Sequence, residues 1–142
     1  MSASKHRIYH RLQLAAHRLQ KSADAALLPV AQVTTAQAAV LAVIQSQGPV
    51  TQSAIARQLG LNESAMTAMV GRLQRMGLVA RAQARDDARA WHVVLTPQGR
   101  QAVERLGKAF RAINRRLEQV LDEQELARLA DYLGRIGQEF AG

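Results

Sequence analysis

The chain has 142 residues and no cysteine, and its 19 basic residues against 11 acidic ones give a net charge of +8. This length suits one compact domain, and the lack of cysteine excludes disulfides, thiolate metal sites and thiol redox sensing. The sequence has no apolar run of roughly 18 residues, and residues 1–6 lack the apolar core of a signal peptide. We therefore expect a cytoplasmic protein without a membrane partner.

The positive charge is unevenly distributed along the chain. Residues 1–30 contain five basic and one acidic residue, residues 51–100 contain seven and three, and residues 101–142 contain seven of each. This distribution is expected if the first two parts face nucleic-acid phosphates while the last part faces protein or water. A solvated basic surface without a nucleic-acid role explains the charge alone equally well.

Two helices are predicted at the start of the chain. Apolar residues at Ile8, Leu12, Ala15 and Leu19 follow helical spacing, which predicts a helix over residues 5–28 that Pro29 ends. A capping-box pattern, a hydroxyl residue followed three positions later by a glutamine, starts the second helix, and a glycine-proline pair stops it. These signals are Thr34 with Gln37, and Gly48 with Pro49.

A helix-turn-helix pattern comes next. Thr51 caps a short helix that Gly60 closes, and Asn62 caps a second helix that ends before Gly77. The loop at residues 60–62 is as short as a helix-turn-helix motif requires.

A β-hairpin follows the second of these helices. Residues 78–82 and 91–95 have strand length and composition, and residues 84–90 between them are too polar to be buried. Thr96 and Pro97 then start a helix that should reach about residue 120. This order predicts a mainly α fold with a small β-hairpin wing, a winged helix-turn-helix module over residues 30–100. Such a module can place one helix in the major groove of duplex DNA and a loop in the minor groove.

The two C-terminal helices carry apolar seams of the coiled-coil type. In the first the seam residues are Val103, Leu106, Phe110, Ile113, Leu117 and Val120. After a capping box at Asp122 and Glu125 the second has Leu126, Leu129, Leu133, Ile136 and Phe140. We expect one domain, 1–142, that forms a homodimer through helical regions 5–28 and 97–140. An intramolecular three-helix bundle is the alternative.

The helix after Asn62 has two different faces. Projection at helical spacing places Met66, Val70 and Leu73 on one side. The other side is small and polar and would permit close approach to base edges. The predicted DNA contacts on this side are Ser64, Ala68 and Arg75, and those on its flanks are Thr67 and Arg72. A plain solvated helix is the alternative.

Two further segments are candidate DNA contacts. Thr51, Gln52 and Ser53 open the shorter helix, whose free N–H groups could hold a phosphate, although simple capping explains Thr51 equally well. Arg85 and Arg89 lie in the hairpin tip, where a guanidinium suits the narrow, electronegative minor groove. An ordinary charged turn is the alternative for the tip.

The sequence resembles the MarR family of winged helix-turn-helix regulators over nearly its whole length. The resemblance depends on several short sequence motifs that match the family in their order and spacing. They are residues 54–59, Ser64, Thr67, residues 72–73, 77–81, 87–90 and 95–99.

The resemblance implies a homodimeric, usually repressive transcription factor on duplex DNA, often released by a small aromatic or phenolic effector. Arg89 would enter the minor groove, and Asp87 would position it. Ser64 and Thr67 would lie on the major-groove helix. It also implies an effector cleft near Tyr9, His10, Arg11, Val40 and Ile44.

Enzyme chemistry has little support in the sequence. The chain has no glycine-rich phosphate loop and no nucleophile motif, so we predict no catalytic residue and no cofactor. His6, His10 and His17 share a helical face that offers no partner ligand for a metal, and no metal site is predicted. Three function classes stay open: an effector-responsive regulator, an effector-independent DNA-binding protein, and a winged-helix protein-interaction module.

Overall fold

The computed structural model describes residues 2–83 and 91–142. Over these residues the chain is mostly helical, with a small antiparallel sheet. The helices are α1 (Ser2–Lys5), α2 (Ile8–Ala31), α3 (Thr35–Gln47), α4 (Gln52–Leu59), α5 (Glu63–Arg75), α6 (Pro97–Glu118) and α7 (Glu123–Glu139). The strands are β1 (Val50–Thr51), β2 (Val79–Gln83) and β3 (Trp91–Leu95). The predicted fold class, mainly α with a winged helix-turn-helix, is confirmed.

Both predicted capping boxes are present. The hydroxyl of Thr34 accepts from the N–H of Gln37 at 3.2 Å, and the Gln37 side chain accepts from the N–H of Thr34 at 3.0 Å. At the start of α7, Asp122 and Glu125 make the same reciprocal pair at 2.8 and 3.0 Å. These bonds satisfy N–H groups that the first helical turn leaves without partners, and they fix where each helix begins.

The helix-turn-helix is also bounded by the predicted residues. The side chains of Thr51 and Asn62 accept from the N–H groups of Ala54 and Ala65, at 3.2 and 2.8 Å. Gly60 ends α4 with φ 67°, a left-handed conformation that costs glycine little. The three-residue turn therefore brings α5 against α4.

The N-terminal helix differs from the prediction. Pro29 lies inside α2, which continues to Ala31 and ends where the N–H of Gln32 donates to the carbonyl of Leu28 at 2.9 Å. Because Pro29 sits in the last turn, it removes one hydrogen bond close to the helix end and does not break the helix. The start also differs, since Arg7 has φ 54° and separates α1 from α2.

The sheet has the strand order β1-β3-β2, and both pairs are antiparallel. In the hairpin Val79 pairs with Leu95 and Gln83 pairs with Trp91, so β2 is shifted by one residue from the prediction. Strand β1, which pairs with His92 and Val93, was not predicted, because two residues give no periodic signal. The burial of β3 follows the predicted alternation at Val93 alone: Val93 is buried, Trp91 is exposed, and Leu95 is half-buried like His92 and Val94.

The core of the winged module lies between α3, α4, α5 and the sheet. The completely enclosed side chains include the predicted inward residues of the helix-turn-helix. They are Leu27, Val33, Val40, Leu41, Ile44, Ile55, Met66, Val70, Leu73 and Val93. This core holds α5 with its opposite face outward.

The chain divides into two compact units, Met1–Ala109 and Phe110–Gly142. In the second unit no residue of α7 is buried, and its seam residues Leu133, Ile136 and Phe140 are exposed. The predicted seam of this helix is therefore exposed from Leu133 onward, whereas Leu126 and Leu129 are half-buried. Of the described helices, none alone has the length and apolarity to cross a membrane. The pair α2 and α3, bent by 67°, meets that criterion only when the two are joined.

Candidate nucleic-acid interface

The outward face of α5 is the centre of the candidate interface. Met66, Val70 and Leu73 are buried on its inner side. The predicted contact residues all lie on its exposed side, namely Ser64, Thr67, Ala68, Arg72 and Arg75. Most of these side chains are small, which leaves the helix backbone close to whatever it docks against.

A chain of hydrogen bonds through Gln52 joins α5 to strand β2 of the hairpin. The amide of Gln52 donates to the hydroxyl of Thr67 at 2.6 Å, and its oxygen accepts from the guanidinium of Arg81 at 3.3 Å. The hydroxyl of Thr67 in turn donates to the carbonyl of Glu63 at 2.9 Å. Three elements, α4, α5 and β2, are thus linked at this exposed surface.

A second set of bonds surrounds the start of α5. The hydroxyl of Ser53 donates to the carboxylate of Glu63 at 2.8 Å, and the hydroxyl of Ser64 donates to the side chain of Asn62 at 3.0 Å. The hydroxyl of Thr51 caps α4, and the phosphate contact predicted for this helix start stays a prediction. A phosphate at this end of α4 would meet the exposed side chain of Ser53 and would have to accommodate Glu63.

These residues line one concave surface. The cavity has a volume of about 590 Å³ and combines residues from α4, α5, β2 and β3. It brings together the predicted residues Thr51, Gln52, Ser53 and Thr67 with Glu63, Arg81, Trp91 and Val93. The predicted site residues did not include Glu63, Arg81 or Trp91. Arg81 and Trp91 reach this surface because the hairpin folds back on the helix-turn-helix, and Glu63 reaches Ser53 because α5 packs on α4. No local sequence pattern encodes either contact.

Charge on this surface is predominantly positive. Arg72 and Arg75 are exposed on α5, and Arg81 is exposed on β2. Glu63 is the acidic group among the cavity residues, and it lies in the first turn of α5, where the positive end of the helix stabilises a carboxylate. Gly71 faces outward beside Arg75, and an added Cβ would lie 3.6 Å from that guanidinium, in ordinary contact.

The predicted wing residues Arg85, Asp87 and Arg89 lie outside the described residues. The strands that carry the wing are described, and the hairpin is paired as far as Gln83 and Trp91. Trp91 is 56% exposed at the base of the wing.

The five predicted effector residues fall into two groups. Tyr9, His10 and Arg11 are exposed on α2, and the guanidinium of Arg11 donates to the carbonyl of His6 at 2.9 Å. Val40 and Ile44 are buried on α3. Ile44 also lines a cavity, and its neighbours there come from the end of α3, the turn at Gly48 and Pro49, β3 and α6.

Comparison with known proteins agrees with this architecture. Residues 31–90 match the sequence model of the MarR family. The HTH-type transcriptional repressor MdtR of Bacillus subtilis (strain 168) is 32% identical over 106 residues, which are 75% of this chain and 68% of that protein. The chain belongs to the MarR family. It is therefore a transcriptional regulator with a winged-helix DNA-binding fold.

Solved structures of MarR-like regulators have the same fold. The transcriptional repressor CouR, bound to a 23-mer DNA duplex, is 27% identical with a TM-score of 0.88, and the match covers 96% of each chain. The PcaV regulator of Streptomyces coelicolor, in complex with its natural ligand, is 25% identical with a TM-score of 0.74. That match covers 92% of this MarR-family chain and 89% of PcaV.

Proposed function

We propose that this MarR-family regulator is a homodimeric repressor that binds a pseudo-palindromic duplex site. The observation that carries the proposal is the exposed, small and polar face of α5 beside a paired hairpin. In a winged helix-turn-helix this helix enters the major groove, and its small residues let the backbone approach the base edges. The similar CouR chain, which is bound to DNA, supports this assignment.

Base readout by α5 should be sparse. Arg72 and Arg75 are the α5 side chains able to bind guanine bidentately, while Thr67 and Ala68 offer methyl groups to thymine. Much of the specificity would then come from the wing, with Arg89 in the minor groove, Asp87 positioning it and Arg85 near the backbone. Ser64, Gln52 and Ser53 would contact phosphates or position other side chains that contact DNA.

The proposed dimer forms through the terminal helices. In the single chain Phe110, Leu133, Ile136 and Phe140 are exposed although they follow coiled-coil spacing. Pairing these seams with a second copy would remove them from water. A two-fold dimer would also present its two α5 helices about one DNA turn apart, near 34 Å.

The proposed repressor role and effector response are inferred from similar proteins. MdtR is named a transcriptional repressor, and PcaV binds a natural ligand. We propose that a small aromatic or anionic effector lowers the DNA affinity of this chain as well.

An electrophoretic shift assay on the DNA upstream of its own coding sequence tests the DNA-binding proposal. The purified full chain is titrated at two salt concentrations, with and without competitor DNA. We expect binding that survives competitor, with one dimer per site. Weak binding that competitor abolishes and that falls steeply with salt would indicate non-specific contact at this DNA. Selection of bound sequences from random duplexes would then be the deciding experiment. Failure to enrich any sequence would overturn the proposal.

A further inference from the structure

Glu63 is the first residue of α5, and its side chain is exposed on the surface that the candidate interface presents. It lines the same cavity as Thr67, which lies one helical turn further along α5. The hydroxyl of Thr67 donates to the carbonyl of Glu63 at 2.9 Å, so the two residues share one edge of the helix. In a helix-turn-helix the N-terminal residues of the major-groove helix contact base edges. Glu63 therefore stands where a base is read, provided that α5 is that helix.

A carboxylate at this position opposes general binding to DNA. Duplex DNA carries closely spaced negative phosphates, and the exposed residues Arg72, Arg75 and Arg81 suit them. An ionised carboxylate is repelled by phosphates, and it can only accept hydrogen bonds. Glu63 therefore lowers the affinity for every duplex that does not offer it a hydrogen-bond donor.

Neutralisation of a neighbouring arginine does not explain this carboxylate. Within residues 2–83 and 91–142 Glu63 forms no ion pair, although Arg81 lines the same cavity. The guanidinium of Arg81 donates instead to the side chain of Gln52 at 3.3 Å. Stabilisation by the positive end of α5 holds for any acidic residue in the first turn and requires no partner. The charge of Glu63 thus stays available to a ligand of the interface.

Ser53 holds the carboxylate in a defined orientation. Its hydroxyl, in the first turn of α4, donates to one oxygen of Glu63 at 2.8 Å. A carboxylate has about four acceptor sites on its two oxygens, so this bond leaves most of its capacity unused. Glu63 can therefore accept from Ser53 and from a base at the same time, without giving up the contact between α4 and α5.

The chemistry of the major groove selects the base. Only cytosine and adenine present amino donors there, whereas guanine presents two acceptors and thymine presents an acceptor and a methyl group. The amino group of adenine lies beside the N7 acceptor, which repels a carboxylate. The N4 amino group of cytosine has no such neighbour on its own base, so cytosine is the base that an anchored carboxylate favours.

We propose that Glu63 is a base-specificity residue that accepts from the N4 amino group of a cytosine in each half of the DNA site. Ser53 is its positioning residue. The carboxylate then acts mainly by penalising other sequences, which widens the ratio of specific to non-specific affinity. This inference rests on the proposed function, because it requires α5 to enter the major groove.

Selection of bound sequences from random duplexes is the first test. The parent chain should enrich cytosine at one position in each half-site, and Glu63→Gln should replace it there with adenine, whose N6 and N7 suit an amide. Glu104→Gln, the same change of charge on exposed α6 outside the cavity, should keep the parental sequence. A Glu63→Gln selection identical to that of the parent would overturn the inference alone. If the parent enriches no sequence, the proposed function fails and this inference fails with it.

Fluorescence anisotropy separates base reading from simple repulsion. Four duplexes that differ only at the assigned pair are compared with a non-specific duplex. The parent should prefer cytosine by at least about fivefold over each other base. Glu63→Gln should lose that preference and bind the non-specific duplex more tightly than the parent. An equal gain of affinity on all five duplexes would show that Glu63 acts only through its charge, and the inference would be wrong.

A modified base tests the assigned atom. N4-methylcytosine keeps the Watson–Crick pair but replaces the groove-facing hydrogen of the amino group with a methyl group. We expect the parent to bind the methylated duplex at least about fivefold more weakly than the unmodified one, and Glu63→Gln to change by less than about twofold. Equal binding of both duplexes by the parent would exclude the N4 contact.

The role of Ser53 has its own readout. Ser53→Ala should reduce the preference for cytosine without tightening non-specific binding, since the charge of Glu63 remains. Ser53→Thr keeps the hydroxyl and should restore the preference. Uniform weakening of all duplexes by Ser53→Ala would show a phosphate contact in place of a positioning role. Both Ser53 and Glu63 are exposed, and circular dichroism checks that each variant is folded.

Discussion

Gly99 in α6 faces the backbone carbonyl of Leu78 so closely that a Cβ at position 99 would overlap the carbonyl oxygen. The same carbonyl accepts from the N–H of Thr96 at 3.1 Å, and the hydroxyl of Thr96 accepts from the N–H of Gly99 at 3.0 Å. The start of α6 therefore packs against Leu78, the residue directly before β2. This contact sets where the hairpin begins after α5.

Gly99→Ala should destabilise the protein. The new methyl group meets backbone, which can move only by displacing α6 or the hairpin, and overpacking of this kind costs about 1–3 kcal/mol. Urea unfolding followed by circular dichroism measures the loss. Gly71→Ala is the matched control, because a Cβ there has room and should raise the free energy of unfolding by helix propensity. Equal stabilities for the two variants would contradict the close contact.

Gly71→Ala also tests how closely α5 approaches DNA. We expect the variant to bind the selected duplex within about twofold of the parent, because the Cβ contacts Arg75 at an ordinary distance and glycine in a helix interior is about 1 kcal/mol less favourable than alanine. Fluorescence anisotropy gives the comparison. A loss of tenfold or more in a stable variant would instead show that a base or phosphate occupies the space beside Gly71.

Local signals in the sequence predicted most of the fold, because a cap or a turn is decided within a few residues. Thr34 with Gln37, Thr51 and Asn62 each start a helix as predicted. Pro29 shows the limit of such signals, since its effect depends on how far along the helix it lies. The bonds from Gln52 to Thr67 and Arg81 join residues distant in sequence. The packing of α5 on α4 brings Thr67 to Gln52, and the packed hairpin brings Arg81 to Gln52, so no spacing rule predicts these bonds.

Gln52 should act on DNA binding by positioning other residues. Gln52→Met keeps the length of the side chain but removes its bonds to Thr67 and Arg81, and one exposed bond contributes about 0.5–1.5 kcal/mol. We therefore expect the dissociation constant for DNA to rise by about three- to tenfold. Thr67→Val removes the hydroxyl partner, so the double variant should be weakened by less than the product of the two single effects. Strictly independent effects would show that the Gln52–Thr67 bond does not matter for binding.

The dimer proposal predicts a specific effect of charge on α7. Leu133→Glu places a carboxylate in the exposed apolar seam, where burial against a second chain without a partner costs several kcal/mol. Multi-angle light scattering should show a monomer or an unfolded chain. Gln138→Glu adds the same charge on the opposite side of the helix and should remain dimeric. Phe110→Glu provides a second test on α6, and folded dimers from both seam variants would exclude this interface.

Arg89→Ala separates DNA binding from a protein-interaction role. If Arg89 enters the minor groove, its loss should weaken binding to the selected duplex by at least about tenfold, because a guanidinium there gains both charge attraction and shape recognition. Arg128→Ala, which removes the same charge from exposed α7, should have a much smaller effect. Both variants should stay dimeric by light scattering. Anisotropy that detects no difference between Arg89→Ala and the parent would show that the wing does not contact DNA, and the protein-interaction alternative would then be favoured.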